Sequence, residues 1–180
     1  MSAVNIEAIF PYLLVLQGIM GAADTLVNHE WIAKLARDPA ARREIGLHAM
    51  REATYGVLFI GLGWFAWHGH AVYAIAALLI LEVWITANDE FVENRTRVLP
   101  QNERLLHVFL TLNYGLIIAM LAPVLVSWGK EPDAIESRER GWSSWALAVL
   151  GVFSLAWSVR DFLAWRALSP GALLVKRLRP

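Results

Sequence analysis

The sequence predicts an all-α protein, a polytopic membrane bundle of about five transmembrane helices in which four enclose a polar core. Three observations carry this prediction. Hydrophobic residues make up 57% of the 180-residue chain and mean hydropathy is +0.46, a composition of helical membrane proteins and not of water-soluble domains. The apolar residues gather in segments close to the roughly 20 residues that cross a hydrocarbon core. In or beside those segments stand Glu44, His48, Glu82, Asp89, Glu93, Glu103 and His107. Such groups are too costly to turn toward lipid, so they face one another or a metal.

Taken in order, the predicted spans are 8–27, 47–67, 70–92, 105–127 and 143–163. The first begins after Pro11 or includes it in its first turn, where proline is tolerated. It carries Gln17, Gly18, Gly21 and Asp24, so it is not a simple lipid-facing anchor. It also lacks the positively charged start and small-residue cleavage site of a signal peptide. The turn His68-Gly69-His70 makes the second and third spans an antiparallel pair, and Pro100 sits in a similarly short link between the third and fourth. Short links favour neighbours in a bundle. One integral membrane domain over 1–180 is therefore expected, with a four-helix core over 8–127 and the 143–163 helix at its side. Gly18, Gly21, Gly56 and Gly61 are candidates for close helix contact.

Basic residues set the expected orientation. Lys34, Arg37, Arg42 and Arg43 lie between the first two spans, Arg95, Arg97 and Arg104 between the third and fourth, and Arg166, Lys176, Arg177 and Arg179 beyond the fifth. With five spans all three groups share one side, whereas the 128–142 loop on the other side is acidic on balance, with Glu131, Asp133, Glu136 and Glu139. The positive-inside rule then gives a multi-pass protein of the cell inner membrane, N-terminus outside and C-terminus cytoplasmic. Trp64, Trp67, Trp128 and Trp142 are expected to form the outer aromatic belt.

Composition also excludes some chemistry. Zero formal charge and the absence of basic runs give no footprint for nucleic acid. With no cysteine there is no disulfide framework, thiolate site or cysteine nucleophile, leaving His, Asp and Glu as the strong ligands.

Helical spacing sorts those ligands into stripes. Asp89 and Glu93 fall within about 20° of the helix face that carries Glu82, whereas Glu90 lies about 100° from Asp89 and is a weaker candidate. Glu103, His107, Thr111 and Tyr114 line another stripe, and Glu44, His48, Glu52 and Tyr55 a third. The first span adds Gln17, Asp24 and Asn28, followed by His29 and Glu30, which cap that helix and line the mouth or enter the site. Four helix ends converge on the basic side. Glu44, Glu93 and Glu103 then form an outer layer, His48, Asp89 and His107 a layer about 10 Å in at 1.5 Å per residue, and Glu52 and Glu82 lie deeper. Arg51 and Arg104 are expected to pair with outer acids or snorkel to the surface. His68 and His70, at the opposite interface, are expected to be structural or solvent-exposed.

Histidines among several carboxylates suit iron, manganese or zinc. The metal-ligand candidates are Asp24, His48, Glu82, Asp89, Glu93 and His107; Tyr55, Tyr114 and Glu52 are candidates for proton transfer or ligand orientation. Over roughly 17–115 the layout resembles the di-iron carboxylate bundles of ferritin-like proteins and membrane oxidases. Where those show Glu-x-x-His, this chain has Glu44-x-x-x-His48 and Glu103-x-x-x-His107. The resemblance implies two non-haem metal ions, iron first, with zinc or manganese as alternatives. It also implies an oxidoreductase; the location of the pocket at the membrane interface is what suggests a hydrophobic, lipid-like or quinone-like substrate, with an electron donor or another membrane protein as partner.

Two other readings of the same residues are a zinc or manganese membrane hydrolase and a non-catalytic assembly or electron-transfer subunit. The second would bind haem b through His48 and His107. A transporter is disfavoured because the charges stop halfway across the bilayer.

Overall fold

The computed structural model describes residues 6–169. The basic tail residues Lys176, Arg177 and Arg179 lie outside the described residues. The protein is all-α, built on five helices: α1 (Phe10–Ala23), α2 (Arg42–Trp64), α3 (Val72–Thr96), α4 (Gln101–Trp128) and α5 (Trp142–Ala167). Four stretches are long and apolar enough to cross a membrane: Ile6–Ala33, Gly69–Thr96, Gln101–Trp128 and Trp142–Ala167. Helix α2 is the exception because Arg42, Arg43, Glu44, Arg51 and Glu52 crowd its first half.

Pro11 sits in the first turn of α1, where its missing N–H leaves no bond unmade. The helix does not end near residue 27, where the predicted span stops. It widens into a π-helical stretch, Asp24–Ala33, and stops at Lys34, whose left-handed backbone (φ 52°) returns its N–H to the His29 carbonyl. The basic connection is correspondingly compact: two short 3-10 turns, Leu35–Arg37 and Pro39–Ala41, lead into α2. At the other end of the bundle the 68–70 turn is flanked by a strand, β1 (Phe65–His68), which pairs antiparallel with β2 (Ala134–Ser137) from the acidic loop. Gly69 turns the chain there at φ +58°, with Asp133 so close that a Cβ would meet its Oδ1 at 2.0 Å. Only glycine fits.

An apolar cluster fills the half of the bundle nearer β1 and β2, drawing Leu14, Leu58, Leu62, Ile75, Ile117, Leu121 and Leu147 from all five helices. Trp128 is part of it. Expected in the outer aromatic belt, it is 2% exposed, because its indole N–H donates to Glu7 at 3.0 Å and so loses nothing by burial. Trp142 does remain exposed.

Helix α5 is bedded on α2 through glycines. A Cβ on Gly56 would meet Leu155 at 2.5 Å and the Gly151 carbonyl at 3.1 Å, and Ser154 and Ser158 donate to the Glu52 and Ala49 carbonyls at 2.8 and 2.7 Å. Small residues let the two backbones approach, as in membrane helix pairs. Of the other three candidate glycines, Gly18 is also a close helix contact, whereas Gly61 and Gly21 are not. Gly18 packs against Leu150 and Phe59, Gly61 faces the Trp67 ring, and nothing lies within 4 Å of a Cβ on Gly21.

Candidate metal centre

The half of the bundle opposite the apolar cluster is polar. It is assembled from the π-helical continuation of α1, the start of α2, the end of α3 and the start of α4, the four ends whose convergence the basic loops predict. Asp24, His29, Glu44, His48, Glu82, Asp89, Glu93 and Glu103 are each at most 4% exposed.

The wide turn of the α1 continuation makes His29 part of this group. In an α-helix five residues advance about 500°, leaving Asp24 and His29 about 140° apart. Closing the ladder at i→i+5 brings them into one column, a distortion that recurs at functional sites. His29 Nε2 therefore lies 3.5 Å from Asp24 Oδ2, 3.4 Å from Glu103 Oε1, and its ring stacks on His48 with centroids 4.3 Å apart. Neither ring nitrogen of His29 has a hydrogen-bond partner. Asp24 is steadied by Asn28, which donates to Oδ1 at 2.7 Å, and Asn28 in turn accepts from Asn102 of α4 at 3.1 Å.

Three overlapping sets offer ligand atoms all within 4.8 Å of one another: Asp24, His29, Glu103 and His107; His29, His48 and Glu93; and Glu90, Glu93 and His107. His107 presents Nε2 to Asp24 Oδ2 at 3.2 Å and Nδ1 to Glu93 Oε2 at 3.5 Å. His48 Nε2 stands 3.0 Å from Asp89 Oδ2 and 3.8 Å from Glu93 Oε1.

Two arginines enter the cluster, and both depart from expectation. Arg51 does not snorkel outward. Its guanidinium donates to Asp89 Oδ2 at 2.7 Å and lies 3.6 Å from Glu82 Oε1. Arg97, in sequence one of several basic loop residues, is the first residue past α3. It is extended there (φ −152°), and its guanidinium turns inward onto Glu44 at 2.9 Å, Glu103 at 2.6 Å and Glu93 at 3.3 Å. Burial works against its charge, but Glu103 and Glu44 outweigh burial and its pKa rises.

Deeper in, Glu82 accepts from Thr86 at 3.0 Å, and its second oxygen is buried without a partner. Near it, Asn113 donates to Gln17 at 2.8 Å and Gln17 to the Tyr55 hydroxyl at 2.9 Å. Tyr114 donates to the Leu79 carbonyl at 2.9 Å and rests edge-on to Tyr55. Of the residues singled out from sequence, Asp24, His48, Asp89, Glu93 and His107 come together in the cluster, and Glu82 and Tyr55 lie on its inner side. Glu52 is different. Its backbone carbonyl accepts from Ser154 of α5 at 2.8 Å, and its side-chain Oε2 is buried without a hydrogen-bond partner.

Compared with family models, curated proteins and solved structures, this chain matches none. Its chemistry therefore has to be argued from the cluster itself.

Charge balance frames that chemistry. Six buried carboxylates (Asp24, Glu44, Glu82, Asp89, Glu93, Glu103) face two guanidiniums (Arg51, Arg97), which leaves four negative charges uncompensated with the imidazoles neutral. Each buried, unpaired charge costs several kcal/mol, so the cluster needs protons or cations. Two divalent ions would supply four positive charges, and the three neutral imidazoles would serve as ligands. Asp24, His29, Glu103 and His107 could hold one ion, and His29, His48 and Glu93 form a second candidate set that shares His29 with the first.

Opposite this centre, His68 is buried with Nδ1 2.8 Å from Glu131, whereas the His70 ring is 84% exposed and lies against Asp133 at 2.9 Å. The exposed carboxylate of Asp133 is held below its usual pKa by the backbone N–H and ring of His70.

Proposed function

We propose that the protein is a membrane-embedded non-haem metalloprotein that holds two transition-metal ions in its polar core and acts as an oxidoreductase on a hydrophobic, lipid-like or quinone-like substrate. The observation that carries this reading is the set of three imidazoles, His29, His48 and His107, meeting buried carboxylates from four helices. Among them the His29 ring, 6% exposed, turns Nε2 to two carboxylates, Asp24 at 3.5 Å and Glu103 at 3.4 Å, and has no hydrogen-bond partner at Nδ1. A packing histidine at that depth would be hydrogen-bonded. The donor set, nitrogen and carboxylate oxygen without sulfur, suits iron or manganese and admits zinc. Iron in this setting would supply redox chemistry toward dioxygen.

The chain's own residues supply the rest. Arg97 holds Glu44, Glu93 and Glu103 in one arrangement, as outer partners orient metal ligands. Arg51 does the same for Asp89 beside His48. Glu82 and Tyr55 are placed to hold or pass a proton on the inner side, and the apolar cluster beyond them excludes water. Stacking of His29 on His48 and the approach of Asp89 to His48 Nε2 favour ligation among acids over an axial role in haem.

In this reading α2 is the fifth crossing. Its 23 residues extend about 34 Å at 1.5 Å per residue, and Glu44, His48 and Arg51 are turned to neighbouring helices instead of lipid. The metal end, bordered by Lys34, Arg37, Arg42, Arg43 and Arg95, then faces the cytoplasm across an inner membrane, as the positive-inside rule requires.

Elemental analysis and absorption spectroscopy of detergent-purified protein test the proposal. Two equivalents of iron per chain, lost in His48→Ala/His107→Ala, are the expected result. Metal-free protein from cells grown with ample metal would sink the reading. A Soret band would select haem, and two equivalents of zinc would select the hydrolase.

A further inference from the structure

We propose that Glu90, with Glu93 and His107, forms a loading site through which divalent metal ions reach the buried centre; the inference rests on the two-metal reading above. The centre is closed almost everywhere. Side-chain exposure is 5% for Asp24, 6% for His29, 4% for His48, 1% for Glu93 and 0% for Glu103. Three of its members reach the surface further. Two of these, Arg51 at 21% and Arg97 at 17%, are cations, and they repel an approaching metal ion. The third is His107, exposed to 16%, and beside it stands Glu90 of α3, exposed to 56%. Among the described residues of the cluster, the part that reaches the surface without a positive charge is thus an imidazole beside a carboxylate.

The atoms at that opening are arranged for transfer. Asn94 donates to Glu90 Oε1 at 2.7 Å, which leaves Oε2 facing His107 Nδ1 at 3.8 Å. Glu93 has one oxygen on each side: Oε2 is 3.5 Å from the outward nitrogen of His107, and Oε1 is 3.8 Å from His48 Nε2 inside, where it also accepts from Arg97 at 3.3 Å, a bond an entering ion would displace. An ion held by Glu90, Glu93 and His107 Nδ1 passes inward by exchanging one Glu93 oxygen for the other, then meeting His48 and His29. It exchanges water for carboxylate in steps and is never stripped of ligands at once. Glu90 is needed only at the first step, since it contributes to neither inner set.

The test uses metal-free, full-length protein in detergent, mixed rapidly with Co2+ alone, whose visible absorption reports ligation. Wild-type protein and Glu90→Gln are expected to reach the same Co2+ content and the same final spectrum. Glu90→Gln should load about tenfold more slowly, and Glu90→Lys more slowly again, because focused negative charge raises cation on-rates by that order or more. Glu136→Gln, at the far end, should load at the wild-type rate. Loading of Glu90→Gln at the wild-type rate overturns the proposal. So does a final content one Co2+ lower, which would make Glu90 a resident ligand. Failure of wild-type protein to take up Co2+ would instead overturn the metal-centre reading itself, a separate result.

Discussion

Replacing His29 by alanine separates a metal-ligand role from a packing role, because the two predict opposite effects. The imidazole is 4% exposed, with Nδ1 unpartnered and Nε2 3.5 Å from Asp24 and 3.4 Å from Glu103. Truncation removes its stack on His48 and its Nε2 contacts and leaves a small cavity, but it also removes a buried, unsatisfied polar atom, Nδ1, worth about 1–3 kcal/mol as a penalty. These effects oppose one another. The net change is expected within about 1 kcal/mol, or a melting shift of about 2–4 °C for a chain of this size.

Metal binding should respond differently. His29 belongs to two of the three ligand sets, and losing even an outer-shell partner costs about 10–100-fold in affinity. Loss of a shared direct ligand should exceed about 100-fold, about 2.8 kcal/mol at 1.4 kcal/mol per tenfold. The assay pairs a competitive metal titration with thermal unfolding in detergent, with and without metal, using His70→Ala as an exposed control. A variant that binds metal as wild type does but melts many degrees lower without it would refute the reasoning, since His29 would then be a packing residue.

Further outcomes follow from the same geometry. Arg97→Ala strands Glu44, Glu93 and Glu103 without their shared cation; unfolding of the metal-free protein should show a loss of about 3–5 kcal/mol, partly recovered on adding metal, and full stability without metal would contradict the pairing. Gly56→Val should force α5 off α2, costing about 1–3 kcal/mol as overpacking does, with a lower melting temperature and metal stoichiometry unchanged. Tyr55→Phe should keep two metals per chain while slowing substrate oxidation, so retention of full turnover would remove Tyr55 from proton transfer. At the opposite end, the lowered pKa of Asp133 means that its clasp on His70 is present above about pH 4, the ordinary Asp value, and is lost as pH falls below it. Exchange protection of the His70 amide should follow that titration and vanish in Asp133→Ala.

How much was legible in the sequence depends on what kind of signal each residue gave. Hydropathy places α1, α3, α4 and α5, and α-helical periodicity puts Glu82, Asp89 and Glu93 on one stripe, because both report on the chain's own helices. From sequence His29 stands between capping and the site, because its depth depends on how the 25–43 connection is built; α-periodicity, which turns it about 140° from Asp24, does not bring the two together. Arg97 read as one more basic loop residue. Its inward turn depends on three acids from separate helices, a cost-sharing that no local window contains. Trp128 was assigned to the interface for the same reason, since its partner Glu7 is 121 residues away in sequence.

By itself, then, the sequence determined that the chain is a helical membrane protein with acids and histidines gathered at one end of its spans, because hydrophobicity and helical period are local properties. Tertiary structure alone decided which of those groups meet, that His29 joins them through a widened turn, and that Arg97 and Arg51 are drawn among them. Burial leaves charged groups no alternative to one another, and which ones become neighbours is set by how four helix ends pack.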